Sequence, residues 1–317
     1  IAVALTLCVL SAVSPAQSVG YPNKPIKIVV GYAAGGAVDV VARTIGQSLQ
    51  TSLGQPVVVE YKPGAATNIG TDFVAKSAPD GHTLLLAAVG NVVLQPLLSK
   101  RGGAELVAKL KPVGPVSTAP HVLVVSSKLP VHNVAQLVAY AKAHPGQVSF
   151  ASAGTGGTAH LGMEMFKALS KTEVLHVPYK GSSGAVNDLI SGQVSGLFSS
   201  MPSLQGLVDK GYVRLLAATA PSRSPATRNL PLMSATLPGF EYSTWYAMYV
   251  PIDTPQALVL RINQALNQAL RNPKLSDKVE NAGTELHGGT IEDVMRWTTR
   301  DTEKWSQLIQ AAKITVD

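Results

Sequence analysis

Two glycine-rich segments carry the residues best suited to bind a ligand. Residues 28–39 and 148–160 each run from an apolar strand pattern through a glycine-rich turn into a helix pattern. The first turn of a helix leaves about four backbone N–H groups unpaired and carries a partial positive charge of roughly half a unit. Each segment is therefore a small anion receptor, and two such segments indicate two lobes that close on one ligand.

Other residue patterns argue against metal, nucleotide and hydrolytic chemistry. The seven histidines form no HxH or HExxH pair with one another. The glycine segments match neither GxxxxGKS/T nor GxGxxG, and residues 181–184 lack the GxSxG spacing of a serine hydrolase. Cys8, the single cysteine, lies in an N-terminal apolar run, so thiol chemistry is excluded once that run is removed. We expect no cofactor, no metal and no catalytic residue.

Composition favours a packed α/β protein of two domains. The chain has 317 residues, of which 46% are hydrophobic and 14% are charged, against about 25% charged in an average soluble domain. The net charge of +7 favours anionic partners in general terms. Because the basic residues are scattered and not interleaved with aromatics, we expect no nucleic-acid binding.

The N-terminal segment has the pattern of a secretory leader. Residues 1–13 are apolar and uncharged, and Ser14, Pro15 and Ala16 form a small-residue cleavage pattern. The run is shorter than the roughly 20 residues of a membrane-spanning helix. We expect residues 1–16 to be part of a cleaved signal peptide and the mature protein to be periplasmic.

Hydrophobic periodicity predicts the elements that position the two glycine segments. A strand at 25–30, a helix marked by Val38, Val41, Ile45 and Leu49, and a strand at 57–61 form a parallel βαβ unit. The pattern predicts further strands at 83–88, 113–117, 121–126, 147–151, 174–177, 194–198, 213–218 and 245–250. It predicts further helices at 134–143, around Leu161, Met165 and Leu169, along Leu258, Ile262, Leu266 and Leu270, and at 275–281 and 291–312. Residues 221–240, rich in Pro, Ser and Thr, are predicted to connect the lobes.

Backbone amides at three helix starts could together hold a carboxylate. They belong to residues 35–37, 66–68 and 155–158, and ligands of open α/β sheets gather at the carboxyl ends of the strands. His160 lies near the start of the second helix. It either faces the ligand or satisfies nearby backbone groups, and the sequence leaves both readings open.

Several motifs, in order along the mature chain, resemble the Bug-type, TctC-like solute-binding receptors of tripartite tricarboxylate transporters. The matching segments are residues 21–26, 35–39, 62–70, 75–85, 150–156 and 176–181. The resemblance implies a type II periplasmic binding fold of the Venus-flytrap kind, an α/β fold in which each of two lobes has a central, mostly parallel sheet flanked by helices. We expect residues 17–119 and 241–317 to form lobe 1 and residues 120–240 to form lobe 2.

The resemblance also implies a carboxylate held between the glycine loops, partly through ordered water and main-chain amides. Tyr32 stands where the family usually has proline, and it either stacks on an aromatic acid or packs at the hinge. The expected ligand-binding residues are Tyr32, Gly35, Gly36, Ala37, Asp39, Thr67, Asn68, Ala153, Gly154, Thr155, Gly156, Gly157, Thr158, His160, Tyr179, Lys180, Ser182 and Ser183.

We therefore expect a monomeric receptor that captures a small organic carboxylate and delivers it to the membrane permease subunits of a tripartite tricarboxylate transporter. An alternative is a sensory receptor that docks on a sensor kinase of a two-component system. A weaker alternative is an α/β enzyme. The sequence does not specify which carboxylate binds.

Overall fold

A computed structural model describes residues 20–35, 37–99, 102–152, 154–179, 182–201, 204–280 and 283–314. The predicted signal peptide, residues 1–16, lies outside the described residues. The strands are β1 Ile26–Val30, β2 Val57–Tyr61, β3 Thr83–Ala88, β4 Leu110–Pro120, β5 Val122–Ser126, β6 Ser149–Ser152, β7 Leu175–Pro178, β8 Gly196–Ser199, β9 Val213–Ala218, β10 Ser243–Pro251 and β11 Glu285–Leu286. The helices are α1 Ala37–Leu53, α2 Asn68–Ala75, α3 Gln95–Leu98, α4 Gly103–Val107, α5 Val134–Ala143, α6 Thr158–Ser170, α7 Ser182–Ser191, α8 Gln205–Val208, α9 Gln256–Leu270, α10 Pro273–Glu280 and α11 Ile291–Ala311.

The first sheet contains the predicted βαβ unit. Its strand order over the described residues is β11-β4-β10-β3-β1-β2. β1 pairs in parallel with both β2 and β3, whereas β10 is antiparallel to β3 and β4. All the apolar side chains of β1 are fully buried, which is the pattern of a strand covered on both faces by helices.

The second sheet has the strand order β7-β6-β8-β5-β9 over the described residues. β6 is parallel to β7 and β8, and β5 is antiparallel to β8 and β9. Both sheets are therefore mixed: in each, a parallel group carries the glycine loops, and a reversed strand, β10 or β5, runs beside it. This refines the expectation of mostly parallel sheets.

The chain passes between the sheets at two places within the described residues. β4 ends at Pro120 in the first sheet, and β5 begins at Val122 in the second. The return runs from β9, which ends at Ala218, to β10, which begins at Ser243. Residues 221–240 are this return connection, as predicted, and the Ser224 hydroxyl anchors it by donating to the Glu280 carbonyl of α10.

Hydrophobic side chains from both sheets share one cluster. Val29 and Leu85 of the first sheet, Phe150 of the second sheet, Phe166 of α6 and Trp305 of α11 belong to it. Helix α11 thus packs across the join between the sheets. No helix in the described part of the chain is both long and apolar enough to cross a bilayer.

Most predicted elements are confirmed, and the differences include the following. The strand predicted at 113–117 is longer and spans β4. Leu169, used to place α6, is 40% exposed, whereas Leu161 and Met165 on the same helix are buried. Sequence patterns also missed α7, which begins at Ser182 and follows β7 in the chain.

Candidate functional site

The carboxyl ends of β1, β2 and β3 bring three segments together, as expected for parallel neighbours. We call residues 31–35, 62–68 and 89–91 the first loop group. A Cβ at Gly70, the third residue of α2, would lie 3.0 Å from the Gly31 Cα and 3.1 Å from the Lys62 carbonyl oxygen. Only glycine allows α2 to approach the β1 loop this closely. Two of the predicted loops are therefore in direct contact.

Asp39 positions the first loop from within α1. Its carboxylate accepts hydrogen bonds from the Gly35 amide at 2.8 Å, the Arg43 guanidinium at 2.6 Å and the Tyr61 hydroxyl at 2.5 Å. Burial acts to raise the pKa of Asp39, but the hydrogen bonds from Tyr61, Gly35 and Arg43 outweigh it and hold the pKa below its usual range. The predicted ligand residue Asp39 instead uses its carboxylate to fix the loop.

The turn before α2 is left-handed over three residues that are not glycine. Ala65, Ala66 and Thr67 have φ of 45°, 51° and 80°. Each such residue costs of order 1 kcal/mol or more, and such strain concentrates at ligand sites. Within this turn the Thr67 amide donates to the Gly64 carbonyl and the Asn68 amide donates to the Ala65 carbonyl. The turn therefore already uses the two amides that were predicted to hold the carboxylate.

The Thr67 and Asn91 side chains hold interior polar atoms that lack a partner. Thr67 Oγ1 and Asn91 Nδ2 are both buried without a hydrogen-bond partner among the described residues. Both side chains lie against Gly31, where a Cβ would be 3.0 Å from Thr67 Cβ and 3.3 Å from Asn91 Nδ2. Buried polar groups are nearly always paired in a protein. These two atoms therefore mark this corner of the first loop group as a candidate contact point.

Asn91 is a candidate site residue that sequence patterns missed. It lies in a π-helical segment, Gly90–Leu94, directly after β3, and single π-helical turns are frequent at functional sites. Its Oδ1 accepts hydrogen bonds from the Ala88 amide and the Tyr32 hydroxyl, so Nδ2 is held in one orientation. A lone asparagine three residues after the apolar run 84–88 was the available signal.

Tyr32 packs against the first sheet. Its ring is half-buried against the hydrophobic cluster of the first sheet, and burial raises the pKa of its hydroxyl well above the usual value. The hydroxyl is therefore a protonated donor, and it donates to Asn91 at 3.1 Å. Of the two readings left open for Tyr32, the structure favours packing.

The second glycine loop, residues 154–157, lies between β6 and α6. It contains Gly154, Gly156 and Gly157. Gly154 and Gly156 have φ of 148° and 81°, which side chains rarely adopt. Gly157 is the N-cap of α6 and gives it no side-chain cap, so the first-turn amides of α6, beginning at Thr158, lack that partner. Thr155 is exposed. The helix start predicted as an anion receptor is present.

His160 satisfies the backbone of this loop. Its Nδ1 accepts the Gly156 amide at 2.9 Å, and the ring is buried. The Gly156 amide, one of the predicted ligand donors, is therefore directed into the protein. Of the two readings left open for His160, the structure favours the backbone one.

Tyr179 contacts α7. Its hydroxyl donates to the Asp188 carboxylate, and its ring lies against Gly184. Burial and then the Asp188 hydrogen bond raise the pKa of Tyr179 to about 12. Gly36, Ala153 and Lys180 lie outside the described residues, and the side chains of Ala37, Ser182 and Ser183 are likewise not described.

A large surface cavity is lined by residues of neither the first loop group nor the second glycine loop. It has a volume of about 940 Å³ and lies between α9 and the start of α11. Its polar groups bond one another: Asn263 Nδ2 donates to the Gly289 carbonyl, and the Gly289 amide donates to Asn267 Oδ1. We read it as a joint between the two helices.

Comparisons with known proteins agree with this geometry. The profile of the tripartite tricarboxylate transporter family receptor, TctC, matches residues 41–314. Protein BugT of Bordetella pertussis is 34% identical over 304 residues, which cover 94% of this chain and 92% of BugT.

Two solved structures share the fold and were determined with an organic acid. A protein of R. palustris with adipate has a TM-score of 0.86 at 30% identity, covering 93% of this chain and 99% of that one. MatC of Rhodopseudomonas palustris with bound malate has a TM-score of 0.80 at 25% identity, covering 91% of this chain and all of that one. The chain has the two-lobed fold of periplasmic binding proteins and belongs to the receptor family of the tripartite tricarboxylate transporters.

Proposed function

We propose that this receptor captures a small organic carboxylate between the first loop group and the second glycine loop. The observation that carries the proposal is the pair of unpartnered polar atoms, Thr67 Oγ1 and Asn91 Nδ2, beside Gly31. Asn91 Nδ2 supplies a donor and Thr67 Oγ1 supplies a hydroxyl. Both lie at the carboxyl ends of the parallel strands of the first sheet, where the loops meet. The open start of α6 supplies backbone donors from the second sheet.

The polarity of the proposed site suits an anion. Amides and hydroxyls bond a carboxylate through charge-assisted hydrogen bonds, which are roughly twice as strong as neutral ones. The carboxylate of the first loop group, Asp39, is already paired with Arg43, Tyr61 and Gly35. It therefore repels an incoming anion less than a free carboxylate would. The adipate and malate of the structural neighbours support a dicarboxylate as the ligand.

The proposed lobes follow the sheets. Residues 17–119 with 241–317 form lobe 1, and residues 120–240 form lobe 2, because the chain changes sheet at His121 and after Ala218. Closure of the lobes would exclude water and let the first loop group and the second glycine loop reach one ligand. We infer binding without turnover, in the periplasm, followed by delivery of the acid to the membrane permease subunits of the transporter.

Titration calorimetry with adipate, malate and citrate tests the binding step. We expect one-to-one binding of at least one acid with a Kd of about 1 μM or tighter, equivalent to about −8 kcal/mol. Adipamide is the matched control, because it keeps the carbon chain and lacks the charge. We expect it to bind at least about 100-fold more weakly. A folded protein that binds none of the acids, or binds adipamide as tightly as adipate, would overturn the proposal.

Uptake of the same labelled acid tests the delivery step. A host that carries the permease subunits but lacks this receptor should accumulate the acid only when the receptor is restored. Equal uptake with and without the receptor would contradict the delivery step and leave the binding step intact.

A further inference from the structure

Two histidine rings lie stacked directly beneath the second glycine loop. The His160 ring of α6 and the His176 ring of β7 have centroids 3.9 Å apart and an interplanar angle of 10°. His160 contacts the loop directly, and His176 contacts it through Ser152. Two positive rings stacked this closely would repel each other, so the arrangement requires that at least one ring is neutral.

His160 supports the loop only in its neutral form. Its Nδ1 accepts the Gly156 amide at 2.9 Å, so the ring proton resides on Nε2. Protonation would place a hydrogen on Nδ1, facing the Gly156 N–H. The hydrogen bond would be lost and two donors would oppose each other. Gly156 has a φ of 81°, and this bond is a direct restraint on that conformation.

His176 supports the start of the loop through Ser152. His176 Nε2 lies 2.7 Å from Ser152 Oγ, which donates to the Gly154 carbonyl at 2.9 Å. Because the serine has one hydroxyl hydrogen and gives it to Gly154, we assign His176 Nε2–H as the donor in the first contact. A protonated His176 would keep this N–H. His160 is therefore the member of the pair whose support depends on protonation.

The groups around the pair do not favour a positive ring. On α6, Glu164 Oε1 lies 3.8 Å from His160 Nε2, but the same oxygen is paired with Lys167 Nζ at 2.9 Å. On β7 the neighbour is His176, and on β6 it is Ser152, which does not titrate. Burial, then His176 and Lys167, lower the pKa of His160 to about 4. Burial also lowers the pKa of His176.

We propose that His160 is a positioning residue that makes the ligand affinity of this receptor dependent on pH, because only its neutral ring holds the second glycine loop in place. This rests on the proposed function, since it assigns regulation to the same binding site. The neutral ring stabilises the ordered loop fully above the ordinary histidine pKa of about 6.5. That stabilisation is lost as the pH falls from there towards about 4.

Nitrogen NMR of the ligand-free protein tests the pair without reference to any ligand. In wild type we expect the His160 ring to keep an unprotonated Nδ1 and a protonated Nε2 down to about pH 5. Acidification below that should broaden or shift the Gly156 amide signal together with the ring signals. A His160 that titrates near pH 6.5 with no response at Gly156 would overturn the proposal.

Calorimetry with adipate from pH 8 to 4.5 tests the regulation. The His160→Asn variant keeps an acceptor near the position of Nδ1 but cannot titrate, so adipate's own protonation affects both proteins equally. We expect the wild-type to variant ratio of association constants to fall at least about fivefold between pH 7.5 and 4.5. His132→Asn, at an exposed histidine before α5, is the control and should follow wild type.

The two proposals fail in distinguishable ways. Absence of adipate, malate and citrate binding at pH 7.5 would remove the proposed function, while the NMR titration would still decide whether His160 supports the loop. Binding with a constant wild-type to variant ratio at every pH would leave the proposed function intact and overturn the regulatory role of His160.

Discussion

At the residue scale, the first loop group keeps polar atoms in the interior that nothing in the described structure satisfies. An unpaired buried donor or acceptor costs about 1–3 kcal/mol, and both Thr67 Oγ1 and Asn91 Nδ2 are in this state. The left-handed turn at Ala65, Ala66 and Thr67 adds backbone strain in the same place. Both costs therefore fall where the proposed ligand would restore the missing hydrogen bonds.

Thr67→Val tests this directly, because valine has the shape of threonine without the hydroxyl. We expect the free energy of unfolding to stay the same or rise by up to about 1 kcal/mol, since an unpaired buried hydroxyl is removed. Adipate affinity should fall about tenfold, equivalent to about 1.4 kcal/mol. Urea unfolding and calorimetry on the same preparation measure both quantities.

Thr71→Val is the matched control for Thr67→Val. The Thr71 hydroxyl is buried but donates to the Thr67 carbonyl at 3.1 Å. Its loss should lower the free energy of unfolding by about 1 kcal/mol. If Thr67→Val were the more destabilising of the two, the Thr67 hydroxyl would have a partner within the protein, and its assignment to the ligand would be wrong.

Residue types in the sequence predicted the kind of chemistry better than they predicted which groups act as donors. The glycines and Asp39 were recognised, but the direction of each hydrogen bond depends on the folded positions of its neighbours. The Gly156 amide donates to His160 one helical turn further along the chain, and Asp39 of α1 accepts from Tyr61 at the end of β2. Asn91 was missed because one asparagine after an apolar strand has no periodicity to mark it.

At the element scale, the packing of α2 against the β1 loop positions the first loop group. Because Gly31 and Gly70 have no side chains, the two backbones approach so closely that a Cβ at Gly70 would lie 3.0 Å from the Gly31 Cα. The contact fixes the distance between the strained turn and the β1 loop. A change at either glycine therefore acts on the site through the elements that form it.

Gly70→Ala should separate these two elements. The new Cβ would lie 3.0 Å from the Gly31 Cα and 3.1 Å from the Lys62 carbonyl oxygen, and backbone cannot rotate away as a side chain can. We expect the free energy of unfolding to fall by about 1–3 kcal/mol, and adipate affinity to fall with it. Thermal unfolding and calorimetry measure the two effects.

Gly206→Ala in α8 is the control for Gly70→Ala. A Cβ there meets nothing within 4 Å, and alanine favours a helix over glycine by roughly 0.5–1 kcal/mol. We expect unchanged or slightly higher stability and unchanged affinity. Equal behaviour of the two variants would show that the α2 contact with the β1 loop does not position the site.

Elements with a regular hydrophobic pattern were predictable from the sequence, and elements shaped by tertiary contacts were not. The buried run of β1 and the stripe Val38, Val41, Ile45 and Leu49 in α1 appear in the structure as predicted. β4 was predicted too short because it contains prolines, which the sheet tolerates where its register with β10 shifts, near Pro112 and Pro115. Alanine favours right-handed helix, so nothing in the sequence signalled the left-handed turn at 65–67.

At the scale of the whole molecule, one side chain joins both crossings between the sheets. The Thr219 hydroxyl accepts from the His121 amide at 2.9 Å and donates to the Tyr242 carbonyl at 2.7 Å. The Thr219 amide donates to the His121 carbonyl, and the Tyr242 amide donates to the Thr219 carbonyl. Burial lowers the pKa of His121 to about 4, so this residue stays neutral and the join carries no charge near neutral pH.

Thr219→Val should weaken this join without changing its shape. The substitution leaves the His121 amide and the Tyr242 carbonyl unpaired in a region where Thr219 is only 1% exposed, and each orphaned group costs about 1–3 kcal/mol. We expect the free energy of unfolding to fall by about 2 kcal/mol or more. Thr219→Ser, which keeps the hydroxyl, should lose only about 1 kcal/mol for the missing methyl group. Urea unfolding followed by amide exchange at β3 and β6 measures the loss in both sheets. Because α11 and the shared hydrophobic cluster couple the sheets, protection should fall in both; a loss confined to one sheet would show that the crossings do not unite the two lobes.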